Sequence, residues 1–172
     1  MKRGLPPVFR KDARVLILGS LPGDMSLAAR RYYAHPRNQF WHLAGAVLNR
    51  SLADLDYEPR LGALCDGGIA LWDVVAAGMR RGSLDQDLAA ASLNDVTSLV
   101  RNLPHIRAIA FNGLKAAQLA SKMAVPTGIT TLTLPSSSAA NCLRIDEKMN
   151  QWRRLTPYLE MVSPAGFEPA TY

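Results

Sequence analysis

The sequence lacks most of the features that mark secreted, membrane-spanning or metal-binding proteins. It contains only two cysteines, Cys65 and Cys142, which lie far apart without CxxC spacing. Two such thiols are too few for a structural zinc site or an iron–sulfur cluster, and they favour reduced cysteines over a disulfide framework. Residues 1–14 have no apolar signal-peptide segment, and no run approaches the roughly 18 apolar residues of a membrane helix. We therefore expect a cytoplasmic protein with no metal, no other cofactor and no membrane partner.

The sequence also has no internal repeat and no low-complexity tract. Hydrophobic residues make up 48% of its 172 residues, which is enough to bury one full core as a single domain. Twenty Lys and Arg against fourteen Asp and Glu give a formal net charge of +6. This balance favours a polyanionic partner, because neutralising phosphates releases counterions, but ordinary solubility explains the same charge equally well.

Short apolar runs alternate with amphipathic segments along the chain. We predict strands at residues 14–18, 69–75, 106–111 and 129–134, with helices at 38–49, 94–103, 113–123 and from 144 onward. This alternation predicts an α/β fold, a three-layer α/β/α sandwich with a central four-stranded parallel sheet. We expect a single domain over residues 1–162. Residues 163–172, which contain two prolines and a glycine, are expected to form an unstructured tail.

The helical patterns also predict individual positions. Asn94 is expected to cap the second helix, and Phe40 and Trp41 are expected in the core. Pro157 is expected to bend or end the last helix. The residues of that helix expected to face inward are Ile145, Met149, Trp152, Leu155 and Leu159.

Four polar segments follow the predicted strands. Right-handed crossovers bring strand-to-helix turns to one edge of a parallel sheet, where open α/β folds bind ligands. The segments are the turn at 19–23 (GSLPG), the block at 32–41 (YYAHPRNQFW), Trp72-Asp73 with the loop at 80–85, and the loop at 134–141 (LPSSSAAN). Aromatic faces stack on bases, while hydroxyl and cationic groups suit phosphate. The shared edge predicts a protein that handles a nucleobase.

Each segment also has a simpler explanation. The GSLPG turn is a common way to leave a strand, and Asn38 is well placed to cap the helix that follows it. Asp73 has two alternatives, the capping of a loop or an ion pair with Arg81. The loops at 80–85 and 134–141 are as readily read as a solvated surface loop and a linker.

At these residues the sequence resembles the uracil-DNA glycosylase superfamily and, within it, the hypoxanthine-DNA (deoxyinosine) glycosylase family. Residues 19–23 look like that family's GSxPG motif, and residues 35–41 match an HPxNxFW block shared with mismatch-specific uracil glycosylases. The segments LWDV, RGSLD, FNG and LPSSSAAN follow in the family's order, so the resemblance covers roughly residues 14–159. Two positions depart from the pattern. Ser20 stands where mismatch-specific relatives carry a catalytic asparagine, and Ala139 stands where the family usually has proline.

The resemblance implies a monofunctional DNA glycosylase of base excision repair. Such an enzyme flips a deaminated base, hypoxanthine or also uracil, out of double-stranded DNA and hydrolyses its N-glycosidic bond. The first three blocks contain no lysine, which argues against a Schiff-base lyase. By resemblance, Asn38 is catalytic and holds the attacking water, Tyr33 stacks on the flipped base, and Asp73 accepts the ring N–H.

The remaining predicted site residues divide between base and backbone. Those expected near the base are Ser20, Asn112 and Leu21, whose neighbouring backbone N–H groups would stabilise the leaving group. Those expected to contact DNA phosphates are Arg81, Ser83, Ser136 and Ser138. We expect the protein to act as a monomer.

Two rival functions remain open at this level. One is a uracil-DNA glycosylase specific for G/U(T) mismatches, against which Ser20 counts. The other is a non-catalytic nucleotide-binding α/β module, which needs neither Asn38 nor Tyr33.

Overall fold

The computed structural model describes residues 1–161, so the predicted tail at 163–172 lies outside the described residues. Its strands are β1 Lys2–Arg3, β2 Val15–Gly19, β3 Ile69–Asp73, β4 Val75–Met79, β5 Ala89–Leu93, β6 Ala108–Asn112 and β7 Thr130–Leu134. Its α-helices are α1 Asp24–Ala29, α2 Phe40–Leu48, α3 Tyr57–Asp66, α4 Val96–Arg101, α5 Leu114–Leu119, α6 Ile145–Trp152 and α7 Thr156–Leu159. Within this range, no helix is both long and apolar enough to cross a membrane.

The central sheet contains four parallel strands in the order β3-β2-β6-β7. Strand β2 lies in the interior, where Ile17 is opposite Leu71 of β3 and Ala110 of β6. Because both faces of β2 are covered, its five residues are all buried, which explains its continuous apolar sequence. The predicted four-stranded parallel sheet is confirmed.

Alternate residues of these strands build two separate cores. Val15 and Ile17 face one layer, where Phe40 of α2 and Trp152 of α6 are fully buried. Leu16 lies in the other layer, with residues of α4 and α5. The predicted three-layer α/β/α sandwich is therefore confirmed, with the expected buried positions of Phe40 and Trp41.

A second, smaller sheet was not predicted. The predicted strand at 69–75 in fact ends at Asp73, because the chain then crosses the end of β2. Val74 N–H donates to Gly19 O at 2.8 Å, and Val75 begins β4 of an antiparallel β1-β4-β5 sheet. The sequence of β4, VAAGM, has no apolar alternation, so it gave no strand signal.

Two finer predictions were wrong. The cap of α4 is Asp95, whose carboxylate accepts from Ser98 N–H at 3.0 Å, and not Asn94. The Asn94 side chain instead donates to Asp73 O at 2.8 Å and supports the end of β3. Ile145 begins α6 at its exposed end and is 38% exposed, whereas Trp152 later in the helix is buried as predicted.

Candidate active site

A pocket of about 460 Å³ opens at the carboxyl edge of the central sheet. The last residues of three neighbouring strands line it: Gly19 of β2, Asp73 of β3 and Asn112 of β6. The four polar segments that the strand order assigned to one edge therefore do meet there. All predicted site residues except Arg81 line this pocket. Those residues are Ser20, Leu21, Tyr33, Asn38, Asp73, Ser83, Asn112, Ser136 and Ser138.

The carboxyl group of Asp73 is buried in this pocket without a partner. Asp73 is 3% exposed, and its Oδ2 makes no hydrogen bond within residues 1–161. It forms no ion pair in that range, so the alternative pairing with Arg81 does not occur. Burial raises the pKa of Asp73 to about 7, the negative charge of Asp85 adds to the rise, and Arg80 opposes it. Such a group can accept a hydrogen bond from a ligand near neutral pH.

Tyr33 is held rigidly beside this carboxyl group. Its φ of 51° lies in the left-handed region, which residues with side chains seldom adopt. One face of its ring stacks on Phe40, with centroids 4.0 Å apart and planes 7° from parallel. Burial raises the pKa of its hydroxyl above the usual value, so the phenol stays protonated. Since Phe40 covers one face and Tyr33 lines the pocket, the opposite face is the one that a ligand can use.

Asn112 binds neighbouring side chains and fixes two of them. Its Nδ2 donates to Tyr33 Oη at 3.0 Å and to Ser137 Oγ at 2.8 Å. Its Oδ1 accepts from Ser137 N–H at 2.8 Å. Both amide protons are therefore used, and Asn112 joins the loop at 134–141, here called the serine loop, to Tyr33. For the predicted contact with a base, Asn112 can therefore offer only the second lone pair of its Oδ1.

Gly19 leaves room for the two groups that reach over it. A Cβ atom at Gly19 would lie 2.5 Å from Asp73 Oδ1 and 2.9 Å from Tyr33 Oη. Real Cβ atoms do not approach oxygen so closely, so a side chain here would displace one group or the other. Position 19 therefore requires glycine, because Asp73 and Tyr33 occupy the space that a side chain would fill.

A buried arginine holds the GSLPG turn. Arg80, which begins the loop at 80–85, has a fully buried side chain that donates to Leu21 O and Pro22 O at 3.0 and 2.5 Å. It also pairs with Asp85, which accepts from Ser20 Oγ at 2.5 Å. The hydroxyl proton of Ser20 is thus already bound. Arg80 is not available to bind a phosphate, because its side chain is buried and already bonded to backbone carbonyls.

The turn nevertheless presents a free backbone donor. Ser20 O accepts from Val75 N–H at 3.0 Å, and the N–H of Leu21, in the same peptide unit, makes no hydrogen bond within residues 1–161. In a trans peptide the two groups point in opposite directions. This N–H is available to the pocket that Leu21 lines.

Asn38 lies at the rim, just before α2. Its Oδ1 accepts from Phe40 N–H at 3.0 Å, so the helix-capping alternative is realised in part. The second lone pair of Oδ1 and the Nδ2 group remain for another contact, since neither is bonded within residues 1–161. The half-buried side chain lines the pocket.

Three of the four predicted phosphate contacts line the pocket. Ser83 Oγ accepts from Asp24 N–H at 2.9 Å, and Ser136 and Ser138 accept from backbone N–H groups of their own loop. Each hydroxyl keeps its proton to donate. Arg81 is exposed and lies outside the pocket lining.

Sequence reasoning missed two basic residues. Arg37 is exposed and lines the pocket, and its place within the HPRNQFW block was a signal that could have found it. Lys148 is completely buried in α6 behind the serine loop, and no local pattern marks it. No group of three or more His, Cys, Asp and Glu side chains in the described part of the chain is arranged to hold a metal ion.

Comparison with known proteins gives consistent matches. The family model of the Uracil DNA glycosylase superfamily matches residues 6–166. A hypoxanthine DNA glycosylase of Methanosarcina acetivorans is 40% identical over 152 residues, which cover 88% of this chain and 96% of the relative. One from Methanosarcina barkeri is 37% identical over 151 residues, covering 88% and 95%.

A solved structure matches over nearly the whole chain. It is a solution NMR structure from Methanosarcina acetivorans, described as a candidate uracil DNA glycosylase, with a TM-score of 0.80. Its sequence is 39% identical, and the match covers 93% of this chain and 99% of that one.

The raised pKa of Asp73 makes stability depend on pH. The folded protein binds this proton up to pH about 7, whereas an unfolded aspartate releases it near 3.8. The parent should therefore lose stability relative to Asp73→Asn as pH rises from about 4 to about 7, by on the order of 3 kcal/mol, and then level off. Urea unfolding of both proteins at pH 4, 5.5, 7 and 8 measures this. A constant difference across the series would contradict the buried, unpaired state of the carboxyl group.

Proposed function

Because this chain belongs to the uracil DNA glycosylase superfamily, it is a DNA glycosylase, and we propose that it releases hypoxanthine from DNA. Its reaction is the hydrolysis of an N-glycosyl bond, and this reaction is a step of DNA repair. Both curated relatives above are hypoxanthine DNA glycosylases. The first hypothesis, a glycosylase that releases hypoxanthine, therefore holds over its two rivals. These were the mismatch-specific uracil-DNA glycosylase and the non-catalytic nucleotide-binding module.

The observation that supports a deaminated base as the substrate most directly is the unpaired Oδ2 of Asp73, a residue that lines the pocket. Hypoxanthine carries a proton on N1 beside the O6 carbonyl, and uracil carries one on N3 between two carbonyls. A carboxylate accepts this N–H, whereas the corresponding ring nitrogen of adenine or cytosine has no proton to donate. Ionised Asp73 thus selects deaminated bases over their parent bases.

Tyr33 supports the flipped base through its open ring face. Extruding a nucleotide from duplex DNA costs a few kcal/mol, and least for a mispaired base. Stacking on an aromatic ring returns about 1–3 kcal/mol per base. Because Phe40 and Asn112 already hold the ring, little further ordering is needed when the base arrives.

Hydrolysis requires a water molecule at the anomeric carbon. Asn38 would hold this water through the remaining lone pair of its Oδ1, on the face of the sugar opposite the base. As the C1′–N9 bond breaks, its electron pair stays with the base and the sugar becomes oxocarbenium-like. The water oxygen bonds to C1′, and the proton that it loses passes to solvent.

The departing base gathers negative charge, which the GSLPG turn can stabilise. A neutral amide such as Asn38 is a poor base, so much of the rate must come from stabilising the leaving group. The free N–H of Leu21 is the backbone donor for this role. Arg80 binds the carbonyls of Leu21 and Pro22, so the turn stays fixed while charge develops.

Double-stranded DNA would lie across the pocket mouth. Arg37 contributes positive charge there, and Ser83, Ser136 and Ser138 contribute hydroxyl donors. Arg81 is exposed and would contact DNA beyond the pocket lining. Contacts of this kind bind phosphate without reading sequence, and they weaken as salt rises.

The central test is one incubation with end-labelled duplexes that contain hypoxanthine, uracil or no lesion. We expect release of hypoxanthine under single-turnover conditions and none from the undamaged duplex. Binding of all three duplexes without base release would support the non-catalytic module. Faster release of uracil than of hypoxanthine would overturn the proposed substrate.

Replacing Asn38 with alanine should lower base release by about 10²–10⁴-fold, because the attacking water loses its support. Loss of the contact with Phe40 N–H should also reduce the free energy of unfolding by about 1 kcal/mol. Asp95→Ala is the matched control, since it removes a cap bond on α4 and Asp95 does not line the pocket, so it should spare activity. A folded Asn38→Ala protein with near-parental release would leave the asparagine only its capping role.

Asp73→Asn should change the ranking of bases, beyond lowering every rate. The amide can donate as well as accept, so its match to the N–H and carbonyl edge differs from that of a carboxylate. A buried polar mismatch costs roughly 1–3 kcal/mol, which predicts a shift of about tenfold or more in the hypoxanthine-to-uracil ratio. Single-turnover rates on both duplexes measure the ratio. An unchanged ratio rules out Asp73 as the group that reads the base.

Gly19→Ala should reduce base release by on the order of 100-fold, because the new Cβ displaces Asp73 or Tyr33 from its position. Gly62→Ala in α3 is the matched control, since a Cβ there meets nothing within 4 Å. We expect that control to be as active as the parent and slightly more stable. Equal activity of the two alanine variants would contradict the close approach at Gly19.

A further inference from the structure

Lys148 is a buried cation that the proposed mechanism does not use. It is 0% exposed, and its Nζ has three oxygen acceptors. These are Gln39 Oε1 at 2.8 Å, Asn141 O at 3.0 Å and Ser138 O at 3.2 Å. The ammonium group therefore joins the start of α2 to the loop after β7.

No carboxylate balances this charge. Lys148 takes part in no ion pair within residues 1–161, and burial lowers its pKa. Removing an ammonium group from water is strongly unfavourable, and neutral oxygen acceptors offset this desolvation only in part. A leucine or methionine would fill the same volume without that cost. The positive charge of Lys148 therefore needs a negatively charged partner that residues 1–161 do not supply.

The two loop carbonyls that bind Lys148 determine where their peptide N–H groups point. The carbonyl of Ser138 shares a peptide unit with the N–H of Ala139, and that of Asn141 with the N–H of Cys142. In a trans peptide the C=O and N–H bonds point in opposite directions. Neither N–H makes a hydrogen bond within residues 1–161. The N–H groups of Ser138, Ala140, Asn141 and Leu143 are all bonded in their own loop, and that of Asn141 shares Ser138 O with Lys148.

These two unbonded donors lie on the outer side of the loop. Ala139 and Cys142 are exposed, and Ala139 lines the pocket mouth. Outward N–H groups, with a buried positive charge behind their carbonyls, make a site for an anion. The anion that a DNA glycosylase meets at its pocket mouth is a backbone phosphate.

We propose that Lys148 is a positioning residue that turns the N–H groups of Ala139 and Cys142 toward a DNA phosphate beside the flipped nucleotide. The inference rests on the proposed function, and it adds two backbone donors to the serine hydroxyls. The phosphate is the missing counter-charge of Lys148, which acts through the peptide units between them. Lys148 itself touches neither the DNA nor the water.

The test measures affinity, so it does not depend on the identity of the released base. Duplexes would carry a hypoxanthine nucleotide with a 2′-fluoro sugar, which resists hydrolysis because fluorine disfavours the oxocarbenium ion. In a parallel series, each phosphate flanking that nucleotide is replaced in turn by an uncharged methylphosphonate. Binding by fluorescence anisotropy is compared for the parent, Lys148→Met, Lys148→Arg and Lys122→Met. The last is a matched loss of one charge at an exposed lysine beyond α5.

We expect one methylphosphonate to weaken binding of the parent by about tenfold. Lys148→Met should bind the unmodified duplex about tenfold more weakly and lose its sensitivity to that substitution. Lys148→Arg should retain most of the sensitivity, and Lys122→Met should keep all of it. If the effects of Lys148→Met and of the methylphosphonate simply multiply, Lys148 is only structural and the proposal is overturned.

A second variant keeps the proposal testable if Lys148→Met does not fold. Ala139→Pro removes one N–H, and proline stands at this position in the family that the sequence resembles, so the loop can accommodate it. We expect weaker binding, by a few-fold, and a smaller effect of the same methylphosphonate. Equal or tighter binding would contradict donation by Ala139. Failure of the parent to release hypoxanthine would refute the proposed function and leave this phosphate result standing.

Discussion

The site depends on the carboxyl group of Asp73, which is buried away from solvent at the end of β3. Parallel pairing of β2 with β3 sets Asp73 directly opposite Gly19, so the carboxyl group must reach over a residue without a side chain. The hydroxyl of Tyr33 reaches the same point, and Tyr33 does so with a backbone conformation in the left-handed region. A change at any of the three would move the other two. The geometry of the pocket is therefore a property of this contact, and the loops around it can vary more freely.

Buried cations hold the loops to this rigid centre. Arg80 binds the turn after β2, and Lys148 binds the loop after β7, in each case through backbone carbonyls. Asn112 does the same with uncharged groups between the serine loop and Tyr33. The carbonyl of Ser138, drawn inward by Lys148, leaves the amide proton of Ala139 facing outward. A surface of backbone donors can thus be built from polar side chains that never reach the surface.

Sequence patterns predicted the architecture and the composition of the pocket, because both follow from local periodicity and from the geometry of parallel sheets. Apolar runs such as 14–18 identify buried strands, and strand order brings the polar turns together. Long-range contacts were not predictable. Nothing near Arg80 or Lys148 in the sequence distinguishes a buried cation from an exposed one, since each is buried by segments distant in the chain. The exchange of Asn94 for Asp95 as the cap likewise depended on a partner at the end of β3.

The neutral-range pKa of Asp73 joins base recognition to proton balance. Near pH 7 the carboxyl group of Asp73 is present in both protonated and ionised forms, and the ionised form accepts a ring N–H more strongly. Each productive encounter with a deaminated base therefore expels a proton in a fraction of the molecules. Recognition through the ionised carboxyl group therefore strengthens as pH rises through about 7. Base recognition by this enzyme therefore depends on the pH of the cell in which the DNA is damaged.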